Sequence, residues 1–285
     1  MPTPGEQRVP PAAQPKPENY RFDLNRALSS VVGVRASIPD DAFTAETLGT
    51  ERGGNGVLIS EKGVVLTIGY LIVEAEQVWL QFGDGRAVPG HVLGYDQETG
   101  FGLVQALGAV GLPALGLGNS AAADVGERVV LAGAGGRPHA VAARIAVKQE
   151  FAGYWEYAID EAIFTSPAHP SWGGAALIGP EGDLLGIGSL QLQREGEGGR
   201  VEDLNMIVPI DLLKPVLDDL LTLGRPNRPP RPWLGIYATE VEDKVVVAGV
   251  AGGGPAQQAK LKTGDIVLAV GGGEVGDLAD LYRRV

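Results

Sequence analysis

Cysteine is absent from the 285 residues. That excludes disulfides, thiolate metal sites and a cysteine nucleophile. It fits a reducing compartment without fixing one, since many periplasmic proteins also lack cysteine. No run of about 18 apolar residues occurs, so no membrane span is expected. The N-terminal MPTPGEQRVPPAAQPKPENY lacks the apolar segment of a secretory signal. As written the chain reads as cytoplasmic; it would read as periplasmic if the native chain begins further upstream. Positive charge is scarce: 23 Lys and Arg stand against 35 Asp and Glu, for a net charge of −12 and a pI of about 4.7. With no basic patch on that background, nucleic acid is not an expected partner. Histidine occurs only three times, at His91, His139 and His169. His91 in a strand-like GHVLGY and His139 in the loop GGRPHAV read as surface or packing residues, so neither a metal site nor a cofactor is expected.

What is present is glycine (43 residues) and proline (20), with 44% hydrophobic residues. This favours many short elements joined by turns, in a chain long enough for two cored units. Residues 1–20 read as a flexible Pro-rich arm. Phe22 to Ala36 predicts a short helix and then a strand. From Gly56 on, apolar stretches such as VVLTIGYLIV, VWLQF, ERVVLAGA and LNMIVPI alternate with turn residues, giving about a dozen strands. Such spacing argues for all-β barrels or a sandwich. Ile210 to Leu223 carries a helical pattern with Gly224 as its stop. The GRPNRPPRP stretch is a linker that can be neither helix nor central strand. A second unit begins at Trp233, and the chain stops in a helix running from Asp277 to Val285. The GAGG at Gly133 to Gly136 has neither the lysine nor the following helix of a phosphate loop and reads as a turn.

Three segments, in order, resemble the HtrA family of trypsin-like serine proteases. GNGVLISEKGVVLTIGYLIV is similar to the family segment that ends in L-T-N-x-H-V, with Tyr70 at the place of the general-base histidine. DQETGFGLV, Asp96 to Val104, puts Gly100 at the place of the orienting aspartate. AHPSWGGAAL, Ala168 to Leu177, puts Gly173 where the nucleophilic serine belongs. GPEGDLLGIGSLQ then resembles the strand, turn and pocket-lining strand, with Ser189, Leu190 and Gln191 in the pocket-lining stretch. GPAQQAKLKTGDIVLAVGG resembles a PDZ segment, and WLGI, Trp233, Leu234, Gly235 and Ile236, resembles the carboxylate-binding loop of protease-linked PDZ modules. The resemblance implies an all-β chain: a trypsin-like double six-stranded β-barrel over 21–223, a linker at 224–232, and a PDZ domain over 233–285 that lacks its closing strands.

It also implies a protease fold without its triad. Acyl transfer needs a hydroxyl nucleophile, a base in hydrogen-bond reach and an acid that orients the base. Two glycines supply no side chain, and a phenol with an ordinary pKa of about 10 is a poor base at neutral pH. Losing one member of such a unit already costs several orders of magnitude, and losing all three leaves no route through this mechanism. The expected function is therefore a pseudoprotease that binds protein or peptide C-termini as a scaffold or regulator, with peptide contacts at Trp233 to Ile236 and Ser189 to Gln191. The alternative is an active endopeptidase with a site rebuilt on Ser171 and His169. Trp172, beside the serine position, could fill the cleft. Tyr20 and Phe22 stand where the family's trimer aromatics lie, so a homotrimer, or a mixed oligomer with active homologues, is a further expectation.

Overall fold

In the computed structural model, residues 8–153, 158–195, 199 and 201–285 are described. Alternation of apolar and polar residues sets the main architecture: in a strand with one face buried, every second side chain points inward. QVWLQ at 77–81 buries Val78 and Leu80 and exposes Gln77, Trp79 and Gln81. Six strands, β1 (Val31–Ser37), β2 (Glu51–Ser60), β3 (Val64–Ile68), β4 (Gln77–Gln81), β5 (Ala87–Tyr95) and β6 (Phe101–Ala106), close a barrel in the order β1-β2-β3-β6-β5-β4. Six more close a second, in the order β10-β11-β12-β9-β8-β7. These are β7 (Arg128–Ala132), β8 (Ala140–Ala152), β9 (Ala158–Ser166), β10 (Ala176–Ile178), β11 (Leu184–Glu195) and β12 (Val201–Pro209). Every pairing with a resolved register is antiparallel, as hairpin connections require. Val129, Leu131, Val141, Ile145 and Leu177 fill the second barrel.

Helices are short. α1 (Leu24–Ser29) starts on Asp23, whose carboxylate accepts the Arg26 backbone N–H at 3.0 Å, an N-cap that supplies one missing helical partner. α2 (Ala45–Leu48) lies in the β1–β2 connection. The helix expected over Ile210 to Leu223 is broken in two: a 3-10 turn at Ile210–Leu212 and α3 (Leu217–Leu223). Pro215 lies between them. It has no N–H to give and its ring crowds the preceding turn, so one continuous helix cannot form.

The arm also departs from expectation. From residue 8 onward it is fastened to the second barrel and does not hang free. Val9 is 2% exposed and belongs to that barrel's core, with Ala13 packed against it. Its N–H donates to the Pro138 carbonyl at 2.8 Å, and Gln14 Nε2 donates to the Val9 carbonyl at 2.8 Å. The physical reason is one buried apolar side chain plus two 3-10 turns, Pro11–Ala13 and Pro17–Asn19, that proline pre-sets. Residues 1–7 of the expected arm lie outside the described residues.

Contacts divide the chain into two units. The first holds the described residues of Met1–Asp96, Gly100–Gln149 and Ala162–Pro226; the second holds those of Gln97–Thr99, Glu150–Glu161 and Asn227–Val285. The second unit contains an antiparallel pair, β13 (Ile236–Val241) and β14 (Lys244–Val250), then α4 (Pro255–Gln258), the short pair β15 (Ala269–Val270) and β16 (Gly273–Glu274), and α5 (Leu278–Arg284). Pro255 opens α4 and Asp277 caps α5 by accepting from Asp280 N–H. Ala238, Val245, Leu278 and Leu281 form its core. Glu242 and Asp243 make the two-residue β13–β14 turn with φ of 49° and 60°.

Candidate functional site

The first unit brings Tyr70 and Gly173 together at the junction of its two barrels. Tyr70 leaves β3 on a 3-10 turn, Gly69–Leu71, and Gly173 lies in the loop that leads into β10. The Tyr70 hydroxyl donates to the Ser189 carbonyl at 2.8 Å. A Cβ built on Gly173 would lie 2.8 Å from that hydroxyl oxygen, closer than non-bonded atoms pack. The backbone of Gly173 is not left-handed. A Cβ there would press on the tyrosine hydroxyl and not on the backbone, so the ring must shift to admit one.

Gly100 reaches the same place through its backbone. Its carbonyl accepts the Gly69 N–H at 2.6 Å, one residue before Tyr70, and its own N–H donates to the Asp96 carbonyl at 2.8 Å. Its φ of +77° closes the Asp96–Phe101 turn, a conformation that suits glycine. The turn carrying Tyr70 is held from below by Arg52, which is 6% exposed. Arg52 Nη1 donates to the Tyr70 and Val73 carbonyls at 2.9 and 3.1 Å, Nε to Gly49 and Nη2 to the Thr44 hydroxyl. Burial draws the Arg52 pKa below its ordinary value, and the nearby Glu74 carboxylate opposes that.

Two residues that the sequence motifs did not single out organise the 168–174 loop. Asn55, 1% exposed, has its N–H and Nδ2 on the Gly173 carbonyl at 2.8 and 3.1 Å, Nδ2 also on the Ser171 carbonyl at 2.9 Å, and its Oδ1 accepts from Ala134 N–H at 2.9 Å. Thr67 donates to the Asn55 carbonyl at 2.6 Å. The only signal in sequence is a polar side chain in the glycine-rich run RGGNG, where neighbouring residues face a core. Asn205 anchors the other side, accepting the His169 N–H on Oδ1 at 2.5 Å. Gly174, with φ +74°, passes so close to the Asn55 carbonyl that any Cβ would strike it.

His169 is fully buried. Its Nδ1 accepts the Ser171 backbone N–H at 2.9 Å, so Nε2 carries the proton and donates to the His139 carbonyl at 2.9 Å. Burial pushes the ring's pKa below its ordinary value. Both ring nitrogens are thus engaged by backbone, and neither is left to take a proton from the Ser171 hydroxyl. The same bond turns the Ser171 N–H inward. Trp172 is half-buried, and its carbonyl accepts the Ala175 N–H at 2.9 Å.

Ser189 lies at a register shift in β11, and Leu190 and Gln191 follow, paired with Met206 and Asn205. β10 pairs with β11 only as far as Ile187, so among the described residues Leu190 to Glu195 have a strand partner on one side only. In the second unit Trp233 is 50% exposed, Leu234 packs on that unit's core, Gly235 has φ +73° and Ile236 opens β13. The Leu234 and Gly235 carbonyls accept from Ala256 and Ala251. Among the described residues β13 pairs with β14 only. The structure therefore draws Tyr70, Gly100, Gly173 and Ser189 together in one unit, with Trp233 to Ile236 in the other. Among the described residues no three His, Asp or Glu side chains gather as a metal site, and no helix is long and apolar enough to cross a membrane.

Comparison with known proteins agrees with this architecture. A trypsin-like peptidase domain matches residues 54–187 and a PDZ domain matches residues 232–285. The chain is 27% identical over 245 residues to the "Probable periplasmic serine endoprotease DegP-like" of Hahella chejuensis, covering 81% of this chain and 51% of that protein. It is 25% identical over 297 residues to "Serine endoprotease DegS" of Salmonella typhimurium, covering 94% and 80%. It thus spans about half the length of the DegP-like relatives. Among solved structures, "HtrA-type protease AlgW with tripeptide" superposes with a TM-score of 0.59 at 23% identity, covering 92% of this chain and 86% of that one. "HtrA-type protease AlgW with decapeptide" gives 0.57 at 22%, covering 92% and 88%. A trypsin-like peptidase domain followed by a PDZ domain, with DegP-like, DegS and AlgW relatives along its length, supports an HtrA-type protease architecture for this chain.

Proposed function

We propose that this chain is a catalytically inactive HtrA-type pseudoprotease that works as a protein- or peptide-binding scaffold or regulator. The observation that carries the reading is the Tyr70 hydroxyl, standing in the space where a side chain on residue 173 would project. In this reading Tyr70, Gly100 and Gly173 hold the vacated base, acid and nucleophile positions. Serine-protease turnover needs all three groups and two converging N–H donors for the oxyanion. Here a phenol and two glycines stand in for the groups, and the Ser171 N–H is spent on His169 Nδ1. A site rebuilt from Ser171 and His169 gains no support from a histidine whose two nitrogens are both bonded to backbone.

Binding would use strand addition. Among the described residues β13 pairs with β14 only, beside the Trp233–Ile236 loop, and β11 from Leu190 on pairs with β12 only, so an extended peptide could add to either. The relatives named above are endoproteases, and the AlgW structures carry a tripeptide and a decapeptide. A homotrimer through Tyr20 and Phe22, or a mixed oligomer with active homologues, is part of the same proposal. These two rings lie 5.5 Å apart, and Phe22 packs against Gly182.

The test is direct. The purified chain is expected to leave casein uncut and to stay unlabelled by a fluorophosphonate, while peptides with free C-termini bind it. Labelling that is abolished by Ser171→Ala would overturn the reading in favour of the rebuilt site. A monomeric mass by light scattering would remove the homotrimer.

A further inference from the structure

Away from the junction of the barrels, the outer face of the first barrel carries a groove of about 540 Å³ that the proposed function leaves unused. Its floor is three neighbouring strands. Arg35 on β1 faces Trp79 on β4, which faces Pro89 on β5. Gln77 and Gln81 flank Trp79 on its own strand, and Glu51 on β2 stands opposite Ser37. Trp79 is 46% exposed in this sheet face, with no ring or cation stacked on it among the described residues. The side chains of Arg35, Gln77 and Gln81 likewise make no hydrogen bond or ion pair among the described residues. The Ser37 hydroxyl donates to Glu51 Oε1 at 3.0 Å, which fixes that carboxylate.

We propose that this face is a binding site for a neutral oligosaccharide. An exposed indole offers a flat apolar surface for the C–H face of a pyranose ring, which needs both a non-polar partner and satisfied hydroxyls. The groups that would serve those hydroxyls surround the indole at the spacing of a sheet, about 4.8 Å across strands and about 6.8 Å along one. They are a guanidinium, two amides and a carboxylate, so donors and acceptors are both present. The strands fix the backbone positions from which these side chains spring, so binding orders side chains only and no loop.

Other occupants fit less well. β1 and β4 are each paired on both edges within the closed barrel, so an extended peptide finds no backbone groups to add to. One cation and one anion give no net charge for a phosphate polymer to follow. Self-association would need an apolar centre depleted of charge, and Trp79 is the one large apolar side chain in the groove.

The experiment uses the full chain with 15N-labelled tryptophan. Cellotetraose, maltotetraose and tetra-N-acetylchitotetraose are titrated to millimolar concentration while the indole N–H resonances are followed. The expected result is that at least one of them shifts the Trp79 resonance saturably, and that Arg35→Ala or Gln81→Ala weakens binding by about tenfold or more. Trp79→Phe, checked for an unchanged melting curve, should retain part of the affinity that Trp79→Ala loses. No shift of Trp79 with any of the three sugars would overturn the proposal. So would a Trp79 shift that follows protein concentration without sugar, which would assign the face to self-association.

Discussion

Tyr70 and Gly173 form a coupled pair, and their coupling can be measured. Gly173→Ala should destabilise the fold by about 1–3 kcal/mol, the usual cost of overpacking, because its methyl meets the Tyr70 hydroxyl. In a Tyr70→Ala background the same change should cost close to nothing, and chemical denaturation of the four proteins in the cycle gives the interaction directly. A cost that persists without the tyrosine would place the strain in the backbone instead. His169 gives a second prediction. Burial holds its pKa below the ordinary value of 6.5, so the unfolded chain takes up the proton first as pH falls. The histidine's contribution is therefore complete above about pH 6.5 and is lost as pH drops from there through the folded pKa. A His169→Gln variant should lose that slope in urea melts between pH 7 and 5; an unchanged slope would assign it to other groups. At this scale sequence motifs singled out Tyr70, Gly100 and Gly173 but not what holds them. Asn55 reaches Gly173, 118 residues away, and Arg52 reaches Tyr70, 18 residues away, and no local pattern encodes such a contact.

Among the elements, the strands were the most legible, because a half-buried sheet imposes period-two alternation that QVWLQ and its neighbours display. The arm was the least legible. Its composition signals disorder, yet one apolar side chain, Val9, reaches a core made of residues far along the chain. Val9→Ala should therefore cost about 1–2 kcal/mol, as a deleted core methyl pair does, and should speed proteolysis within residues 8–20. Equal stability and cleavage in the two proteins would return the arm to the flexible class. The break at Pro215 was present in the sequence, but the apolar spacing on either side of it outweighed one residue. The β13–β14 turn is similar. Glu242 and Asp243 adopt left-handed angles that Asn and Gly prefer, so Glu242→Asn with Asp243→Gly should stabilise the hairpin by about 0.5–1 kcal/mol, readable as a higher denaturant midpoint of the second unit.

At the scale of the whole chain, the division into two units predicts how it melts. Each unit has its own core, so calorimetry should need more than one two-state transition. A single transition whose calorimetric and van't Hoff enthalpies agree would show that the units unfold together. The two barrels have a further consequence, one of self-protection. Closing a sheet abolishes its edges, and edges are where unrelated chains attach to form aggregates. Twelve of the sixteen described strands belong to closed barrels, so open edges are confined to the β11–β12 ribbon beyond Leu190, the short β15–β16 pair and the β13–β14 ribbon, with the exposed Ile266 and Leu268 near the last. The ribbon's far end reads Glu240, Val241, Glu242, Asp243, Lys244. Those charges serve as gatekeepers against fibrils, at a sheet that must stay open if it is to receive a peptide.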